Sequence, residues 1–416
     1  MMNQIPSNKT FDYQSGEGDI RLRYERTVVW PSSFRVSYGA GTEMSRYRND
    51  TYRQFFNGQD LQTELYSTNL VFFKYAAFGQ VSQAFIDEKL RLSFGIRADG
   101  NSFSPEMANP FTQISPRFSA SYTLTEDFNL NFNVGRYYQL PPYTSLGLKD
   151  NDGNYINREN ELKYMAANHL VGGLEYIPEE RLQFTLEGFY KHYDDYPFSV
   201  IDQVPLSTKS AGYGIFGNEP LASTAIGRAY GVELMGRARD FNGLNMVFSY
   251  TFVRSEFEGT DGGYIPTAWD NTHLISITAT QSIGKTWDAG FRWRYVGGAP
   301  YTPYDYEKSS LIEAWDVNGQ GYLDYTKFNT LRLKGFNQLD IRVDKQFYFD
   351  RWSLMLYVDV QNVLNYQADQ PDILLQQTDS AGIPLIDPED PSRYLLKYVE
   401  ADAGTVLPTL GIIIEI

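Results

Sequence analysis

Charged side chains occupy alternate positions in several stretches of this sequence, and they are the residues best able to do chemistry. In these stretches arginines and carboxylates share one side of an extended chain, and bulky apolar residues share the other. A carboxylate beside a guanidinium forms a charge-assisted ion pair, and a row of such groups can hold a charged partner. The candidate residues are Arg91, Arg97, Arg117, Glu233, Arg237, Arg292, Arg294, Asp340, Arg342 and Asp344. The sequence therefore predicts a polar wall made of ion pairs.

The three histidines do not form a catalytic pattern. His169, His192 and His273 are far apart in the sequence, and each is interpreted as a solvent-facing or interfacial residue. No Ser–His signature or phosphate-binding glycine loop accompanies them. The chain has no cysteine, which excludes disulfides, thiolate metal sites and cysteine nucleophiles. The sequence predicts no catalytic residue and no enzymatic activity.

One loop has the oxygen spacing of a calcium site. Asp316, Asn318 and Asp324 fall at positions 1, 3 and 9 of an EF-hand-like segment, with Gly321 at position 6. Position 12 is Lys327, where such loops place a bidentate glutamate, and no helix is predicted on either side. We interpret the segment as a plain polar loop, with weak calcium binding as the alternative, and we expect no other metal or cofactor.

Composition narrows the class of protein further. The 416 residues include 36 Lys and Arg against 51 Asp and Glu, which gives a formal net charge of −15. This charge disfavours a nucleic-acid partner, because affinity for phosphates is carried by Lys and Arg. No apolar run approaches the roughly 18 residues of a transmembrane helix, and the first residues show no signal peptide. A soluble β-rich protein and a transmembrane β-barrel both remain open.

The hydrophobic pattern has a period of two, which is typical of strands. It is clear at Phe128–Val134, Leu182–Leu186 and Trp287–Tyr295. Turns rich in Pro, Gly, Asn and Asp, such as Asn242-Gly243, separate paired strands, and long polar segments separate the pairs. With a closing strand at about Leu407–Ile416, the pattern predicts about 15 strands, each of roughly 9 to 14 residues, with short turns at one rim and long loops at the other. The predicted long loops are roughly Arg46–Tyr66, Ser104–Gln113, Pro141–Tyr164, Ser199–Ile226, Gly259–Thr272, Tyr301–Lys334 and Gln367–Thr405.

Aromatic residues distinguish a membrane barrel from a soluble sandwich, which also alternates apolar and polar side chains. Aromatic residues make up 16% of the chain, and they cluster at strand ends, with Trp30 and Trp352 near short turns and Tyr137 and Tyr190 towards long loops. Two bands of rings at the lipid–water boundaries are typical of outer-membrane barrels. We predict an all-β fold, an antiparallel meander barrel that spans a bacterial outer membrane. The residues predicted to face lipid are Leu182, Phe184, Leu186, Phe291 and Trp293, and those predicted to face the lumen include Gln183, Glu187, Arg292 and Arg294.

The last strand carries a pattern of its own. Thr409, Gly411, Ile414 and Ile416 fit a polar–x–Gly–x–x–apolar–x–apolar sequence, although the usual terminal residue is aromatic. This pattern resembles the signal by which the barrel-assembly machinery recognises outer-membrane proteins, and we expect that machinery to be a partner.

Several ordered segments resemble one family, the C-terminal barrel of TonB-dependent outer-membrane receptors. They include FKYAAFGQVSQAFIDEKLRLSFGIRADGNSF, ISPRFSASYTLTEDFNLNFNVGRYYQLPPY, AYGVELMGRARDFNGLNMVFSYTFVRSEF, FRWRYVGGAPYTPYD and FNQLDIRVDKQFYFDRWSLMLYVDVQNVLNY. The resemblance runs from about Tyr38 to Ile416 in the family's order. It implies a barrel of about 22 strands around an N-terminal plug.

The resemblance and the strand count together predict a partial barrel. The plug, the TonB box and the first strands of the family are not found in the 416 residues, so we expect residues 1–416 to form one partial domain of about 15 of the 22 strands. We also expect the sheet to be open, with edges at about Asp19–Trp30 and Leu407–Ile416, and the chain by itself to transport nothing. The polar wall would then face a plug whose charged contacts a coupling protein can break.

The implied function is TonB-dependent uptake of a large, scarce ligand across the outer membrane. Siderophores, cobalamin, glycans and peptides are all candidate ligands. The implied partners are outer-membrane lipid and the TonB energy-coupling complex, reached through the missing N-terminal part, and a surface lipoprotein is a further candidate. A non-transporting adhesin or anchor and a passive pore are the alternative functions.

Overall fold

A computed structural model of the chain describes residues 9–56, 60–150, 152–209 and 217–416. These residues form an antiparallel meander, as the sequence predicts. Its main sheet is a row of 15 strands, each paired with the next, in the order β1–β10, β12, β13, β16, β17 and β22. The strands are β1 (Phe11–Val29), β2 (Arg35–Phe56), β3 (Leu61–Phe85), β4 (Leu90–Asn101), β5 (Ile114–Thr123), β6 (Phe128–Gln139), β7 (Met165–Glu179), β8 (Leu182–Ser199), β9 (Leu221–Phe241), β10 (Leu244–Glu258), β11 (Tyr264–Pro266), β12 (Thr272–Ile283), β13 (Trp287–Val296), β14 (Pro300–Tyr301), β15 (Leu331–Arg332), β16 (Phe336–Tyr348), β17 (Ser353–Gln361), β18 (Ala368–Asp369), β19 (Ile373–Gln376), β20 (Leu396–Val399), β21 (Asp402–Ala403) and β22 (Leu407–Glu415).

The helices are short and lie in the long connections. They are α1 (Pro105–Ala108), α2 (Tyr143–Leu146), α3 (Ile156–Glu159), α4 (Tyr306–Ser310) and α5 (Ile312–Asn318), with 3-10 turns at Leu206–Thr208 and Tyr325–Lys327. No helix among the described residues is long and apolar enough to cross a bilayer.

Turn chemistry places the short connections at one rim of the sheet. Asn242 and Gly243 join β9 to β10 with φ angles of 53° and 81°. A type I′ turn, with positive φ at both central residues, follows the twist of the flanking strands, and Asn-Gly adopts it readily. The predicted short turn at this position is confirmed.

The prediction of a loop over Arg46–Tyr66 is wrong. Strand β2 continues to Phe56 and β3 begins at Leu61, so the two strands stay paired far beyond the length expected of them. Strand β1 likewise begins at Phe11 rather than at about Asp19, and β9 begins at Leu221, inside a segment predicted to be a loop. In these extensions Tyr47, Phe56 and Leu221 are buried, so the strands stay paired where the alternation expected of a lipid-facing strand has ended.

Register divides the sheet into two faces. Leu186 lies directly opposite Leu174 on β7 and Leu234 on β9, so the three side chains share one face. Arg292 lies opposite Asp340, and both point to the other face. We call these the apolar face and the polar face. Leu186 is 48% exposed in this chain, because no protein covers the apolar face around it.

The main sheet is open, as expected. Among the described residues, β1 pairs only with β2, and β22 pairs only with β17. One edge of each strand therefore presents backbone N–H and C=O groups with no strand beside them. Leu410 and Ile412 on the last strand are 79% and 67% exposed.

Candidate functional site: the loop assembly and the polar wall

The buried core of this chain lies in the long connections. Tyr47 and Phe72, from the extended parts of β2 and β3, pack with Met107, Leu146 and Leu162 of the two following long connections. The Lys74 ammonium bonds Glu43 Oε1 at 2.7 Å and also contacts the Tyr143 hydroxyl. This lysine therefore joins the polar face of the sheet to the loop that contains α2.

Two smaller clusters join loops that are distant in sequence. Phe56, at the tip of β2, packs with Ala314 and Val317 of α5. On the other side of α5, Trp315 packs with Leu374 and Leu396 from the connection between β17 and β22. The long connections thus form one unit, the loop assembly, which comprises residues 102–113, 140–164, 200–220, 259–271, 297–335 and 362–406 within the described ranges.

A buried carboxylate ties two of these loops together. Asp270 is fully buried, and its Oδ2 accepts a hydrogen bond from Arg254 Nε at 2.9 Å. Its Oδ1 lies 3.3 Å from Arg332 Nη2, on the loop that follows β13. Arg254 and Arg228 also both pair with Glu256 at 2.9 Å. The network connects β9 and β10 to residues 259–271 and 297–335.

Replacing Asp270 with Asn should loosen the loop assembly. The amide keeps the size of the side chain but removes the charge that holds Arg254 and Arg332. Both arginines are about one-third exposed, so screening reduces the loss, and we expect about 1–3 kcal/mol of local stability to disappear. Limited proteolysis of residues 259–271 should become several-fold faster. Asp261→Asn, an exposed change in the same loop, is the matched control, and equal cleavage of the two variants would contradict the role of Asp270.

A second buried ion-pair group lies beside the 3-10 turn at Leu206–Thr208. The Lys209 ammonium is 2.5 Å from Asp202 Oδ2 and 2.7 Å from Glu219 Oε1, and its side chain is 8% exposed. It also lies 5.4 Å from the ring centre of Tyr325. Burial, together with the charges of Asp202 and Glu219, raises the pKa of Tyr325 to about 12. The phenol is therefore neutral at physiological pH, and its pairing with the lysine is a cation–π contact.

Four of the charged residues that the sequence predicts for the polar wall line one hollow on the polar face of the sheet. Arg292, Arg294, Asp340 and Arg342 line a cavity of about 300 Å³ on the polar face. Arg294 Nη2 donates to Gln338 Oε1 at 2.8 Å, and Arg342 Nη2 lies 2.7 Å from Asp344 Oδ1. Arg342 and Asp344 lie on the same strand, whereas Arg294 and Gln338 lie opposite each other on neighbouring strands, so both contacts are made within the wall.

The other candidates lie elsewhere on the wall. Arg97 pairs with Asp99 at 2.6 Å in a hollow of about 460 Å³ that it shares with Glu43 and Lys74. Arg91 lines a separate hollow of about 270 Å³ together with Glu187. The Arg117 guanidinium lies 4.4 Å from the ring centre of Tyr137. Glu233 lies opposite Glu187, and Arg237 lies opposite Gln183.

The structure keeps the histidines apart. His169 stacks on Tyr137, His192 Nε2 lies 3.0 Å from Asp194, and His273 Nδ1 lies 3.1 Å from the Tyr250 hydroxyl. Each has its own aromatic or polar neighbour on the sheet.

The residues with calcium-loop spacing have partners within the protein. Asp316 and Asn318 lie in α5, and Asp316 accepts a hydrogen bond from the Tyr394 hydroxyl at 3.0 Å. Asp324 caps the next 3-10 turn and pairs with Lys327 at 3.0 Å. Within the described ranges, no group of three or more His, Asp or Glu side chains is placed to hold a metal ion.

A cavity of about 600 Å³ opens within the loop assembly. Its lining comes from residues 259–271, 297–335 and 362–406, and it includes Tyr301, Tyr304 and Tyr398. We call it the tyrosine cavity. Sequence reasoning did not single it out, because its walls come from segments that only the folded loops bring together.

One family profile matches most of the chain. The family is described as TonB dependent receptor-like, beta-barrel, and the match covers residues 3–363. The chain belongs to this family. As a TonB-dependent receptor-like barrel it is an integral protein of the outer membrane of Gram-negative bacteria, so its apolar face contacts lipid and its polar face lines the lumen.

Solved receptor structures share the fold of this TonB-dependent receptor-like barrel. The ferric-catecholate import receptor Fiu from E. coli K12 has a TM-score of 0.60 and 13% identity, over 97% of this chain and 55% of the receptor. The siderophore receptor PiuA from Acinetobacter baumannii has a TM-score of 0.59 and 10% identity, over 97% and 56% of the two chains. The copper transporter OprC has a TM-score of 0.58 and 16% identity, over 88% and 54%. The chain thus spans about half the length of these proteins. No curated protein sequence matches it.

The terminal strand of the TonB-dependent receptor-like barrel places the residues of the predicted assembly signal on the sheet edge. Thr409 lies opposite Asp359, Gly411 opposite Tyr357, and Ile414 opposite Leu354, while Ile416 follows the strand fully exposed. A Cβ at Gly411 would lie 2.0 Å from the Tyr357 ring. That ring also lies 4.1 Å from the Arg342 guanidinium. The glycine therefore leaves room for an aromatic ring that covers the strand backbone.

Replacing Gly411 with Val should weaken the pairing of the last two main-sheet strands. The new side chain would displace the Tyr357 ring from Arg342, at a cost of about 1–3 kcal/mol. The fraction of protein that reaches the membrane as a folded, heat-modifiable band should fall. Ile413→Val, on the same face of the same strand, is the control. An unchanged folded fraction for Gly411→Val would show that the ring does not need this glycine.

Proposed function

We propose that this chain forms most of the barrel wall of an outer-membrane receptor that takes up a large, scarce ligand by energy coupling. The single observation that carries the proposal is the loop assembly, in which α5 contacts both the tip of β2 and the connection before β22. Loops from both ends of the sheet therefore meet on the long-loop side. A surface that gathers residues from the whole wall suits ligand capture at the mouth of a wide lumen.

Similar solved structures indicate which ligands to test. They include a ferric-catecholate import receptor, a copper transporter, and a ferripyoverdine receptor of Pseudomonas aeruginosa bound to ferripyoverdine. Metal chelates are therefore the first class to test for this chain, followed by cobalamin, glycans and peptides. A receptor–pyocin complex among these structures supports the proposal that the loop assembly also binds proteins, including a surface lipoprotein.

The polar wall is proposed to face a plug. The ion pairs Arg97–Asp99 and Arg342–Asp344 and the hollow around Arg292 give the lumen a charged surface that a second domain can contact and release. Release of such a domain by the TonB complex would couple uptake to energy. The wall itself would need no resident cofactor.

The open edges support a further part of the proposal. Unpaired backbone groups cost several kcal/mol each in hydrocarbon. We propose that about seven further strands, outside these 416 residues, pair with β1 and β22 and complete a barrel of about 22 strands. The barrel-assembly machinery is the proposed partner for β22.

The test is uptake in cells that carry the receptor in its natural context. A deletion strain and its complemented parent should be compared for uptake of labelled chelates, cobalamin, glycans and peptides, with and without an uncoupler. The proposal expects one class to enter only in the complemented strain and only without the uncoupler. Uptake that ignores the uncoupler would indicate a passive pore, and adhesion without uptake would indicate an anchor; either outcome would refute the proposal.

A further inference from the structure

The tyrosine cavity has a lining unlike that of the polar wall. Three tyrosines, Tyr301, Tyr304 and Tyr398, contribute ring surface, and Asp372, Gln320 and Asn329 contribute polar groups. The ring centres of Tyr304 and Tyr398 are 6.3 Å apart, with their planes inclined at 46°. Both rings line the same cavity, so their electron-rich faces are available to a ligand within it.

Asp372 lines the same cavity as Tyr301 and Tyr398. Burial raises the pKa of Tyr301, and the charges of Asp372 and Asp369 raise it further. Burial also raises the pKa of Tyr398, with added effects from Tyr304, Tyr306 and Asp372. The phenols therefore stay neutral at physiological pH, and Asp372 is the charged group shared by both rings.

No basic side chain lines this cavity within the described part of the chain. Two lysines of the surrounding loops are already paired, Lys327 with Asp324 at 3.0 Å and Lys334 with Asp369 at 3.8 Å. Asp372 forms no ion pair with any described residue. The cavity therefore combines aromatic faces with an uncompensated negative charge, and an anionic ligand would be repelled.

We propose that the tyrosine cavity binds the ammonium group of an organic cation. A positive charge over aromatic rings is attracted by their electron-rich faces, and a nearby carboxylate adds to that attraction. The cavity volume of about 600 Å³ also leaves room for the rest of a small ligand. This proposal rests on the proposed receptor function and narrows its ligand to molecules that carry an amine or quaternary ammonium.

Choline and its neutral isostere 3,3-dimethyl-1-butanol test the charge directly. Their binding should be measured by calorimetry in detergent micelles, on a barrel in which this chain is completed by the strands that pair with β1 and β22. Choline should bind at least several-fold more tightly than the isostere, and Asp372→Asn should weaken choline binding by roughly 3- to 30-fold. Tyr398→Phe should bind choline as the parent does, whereas Tyr398→Leu should bind it weakly. Asp379→Asn, an exposed change in the same connection, is the control and should leave binding unchanged.

Two outcomes would overturn the proposal. One is equal binding of choline and the isostere, and the other is unchanged choline binding by Asp372→Asn that retains the β-sheet circular dichroism of the parent. If the complemented strain took up none of the tested ligands while the protein still bound choline, the receptor function would be refuted and the cation site would stand. Uptake of a ligand without an amine, unaffected by Asp372→Asn, would refute only the role of the cavity in selecting the receptor's ligand.

Discussion

The 416-residue chain expressed by itself in the deletion strain is expected to restore no energy-dependent uptake and to give little membrane-integrated barrel. Strands β1 and β22 each have one neighbour among the described residues, so two rows of backbone groups would face hydrocarbon. Each unsatisfied group costs several kcal/mol there, and a strand edge contains several of them. The total far exceeds the stability of an ordinary domain.

Outer-membrane fractions, heat-modifiability on gels and labelled-ligand uptake measure this result. The same chain supplied with the strands that close the seam, in one polypeptide or two, is the positive control and should integrate. Efficient integration of the 416-residue chain alone, with β1 and β22 protected from hydrogen exchange, would mean that the two edges pair with each other. That result would refute the proposal that about seven further strands complete the wall.

Replacing Leu186 with Arg is expected to cost about 2–4 kcal/mol of barrel stability, because the charge would face lipid near the middle of the membrane. Leu186 lies four residues after Leu182, the first residue of β8, and roughly 10 Å from the rim of the sheet where the short turns lie. Phe184 is closer to that rim, where the penalty falls to about 0–1 kcal/mol. The neighbouring change Thr185→Arg places the same charge on the polar face, opposite Glu175, and should cost little.

Denaturant titration of the assembled barrel compares the two variants. The barrel should be completed by the strands that pair with β1 and β22, so that the sheet edges affect the two variants equally. Equal denaturant midpoints of unfolding for Leu186→Arg and Thr185→Arg would mean that the two faces of β8 contact the same environment. The assignment of Leu186 to a lipid-facing side of the sheet would then be wrong.

The period-two pattern was enough to predict most of the wall. Phe128–Val134 and Trp287–Tyr295 lie in strands because one face meets lipid and the other meets water, and this alternation is visible in any single strand. The region around Arg46–Tyr66 was mistaken for a loop for the same reason. Its strands extend out of the membrane, where Tyr47 and Leu70 are buried against loops rather than lipid, so the pattern disappears while the pairing continues.

The contacts of the candidate site could not be derived from sequence in the same way. Asp270 and Arg332 come from different loops, and nothing in the sequence around either residue indicates that the two form an ion pair. The tyrosine cavity likewise depends on Tyr301 and Tyr398 being brought together by loop packing. The wall residues Arg292 and Arg342 were predictable, because adjacent strands of a meander must place alternate residues on one face.

The contact between Phe56 and α5 sets the order in which the molecule can finish folding. Many neighbouring strands of this meander are joined by short hairpins, and the entropy lost in closing such small loops is low. Phe56 and Ala314 lie in opposite halves of the chain, so their contact has a high sequence separation and must form slowly. The loop assembly is therefore completed after the wall, and a molecule halted during wall assembly lacks the surface to which we propose that a ligand binds.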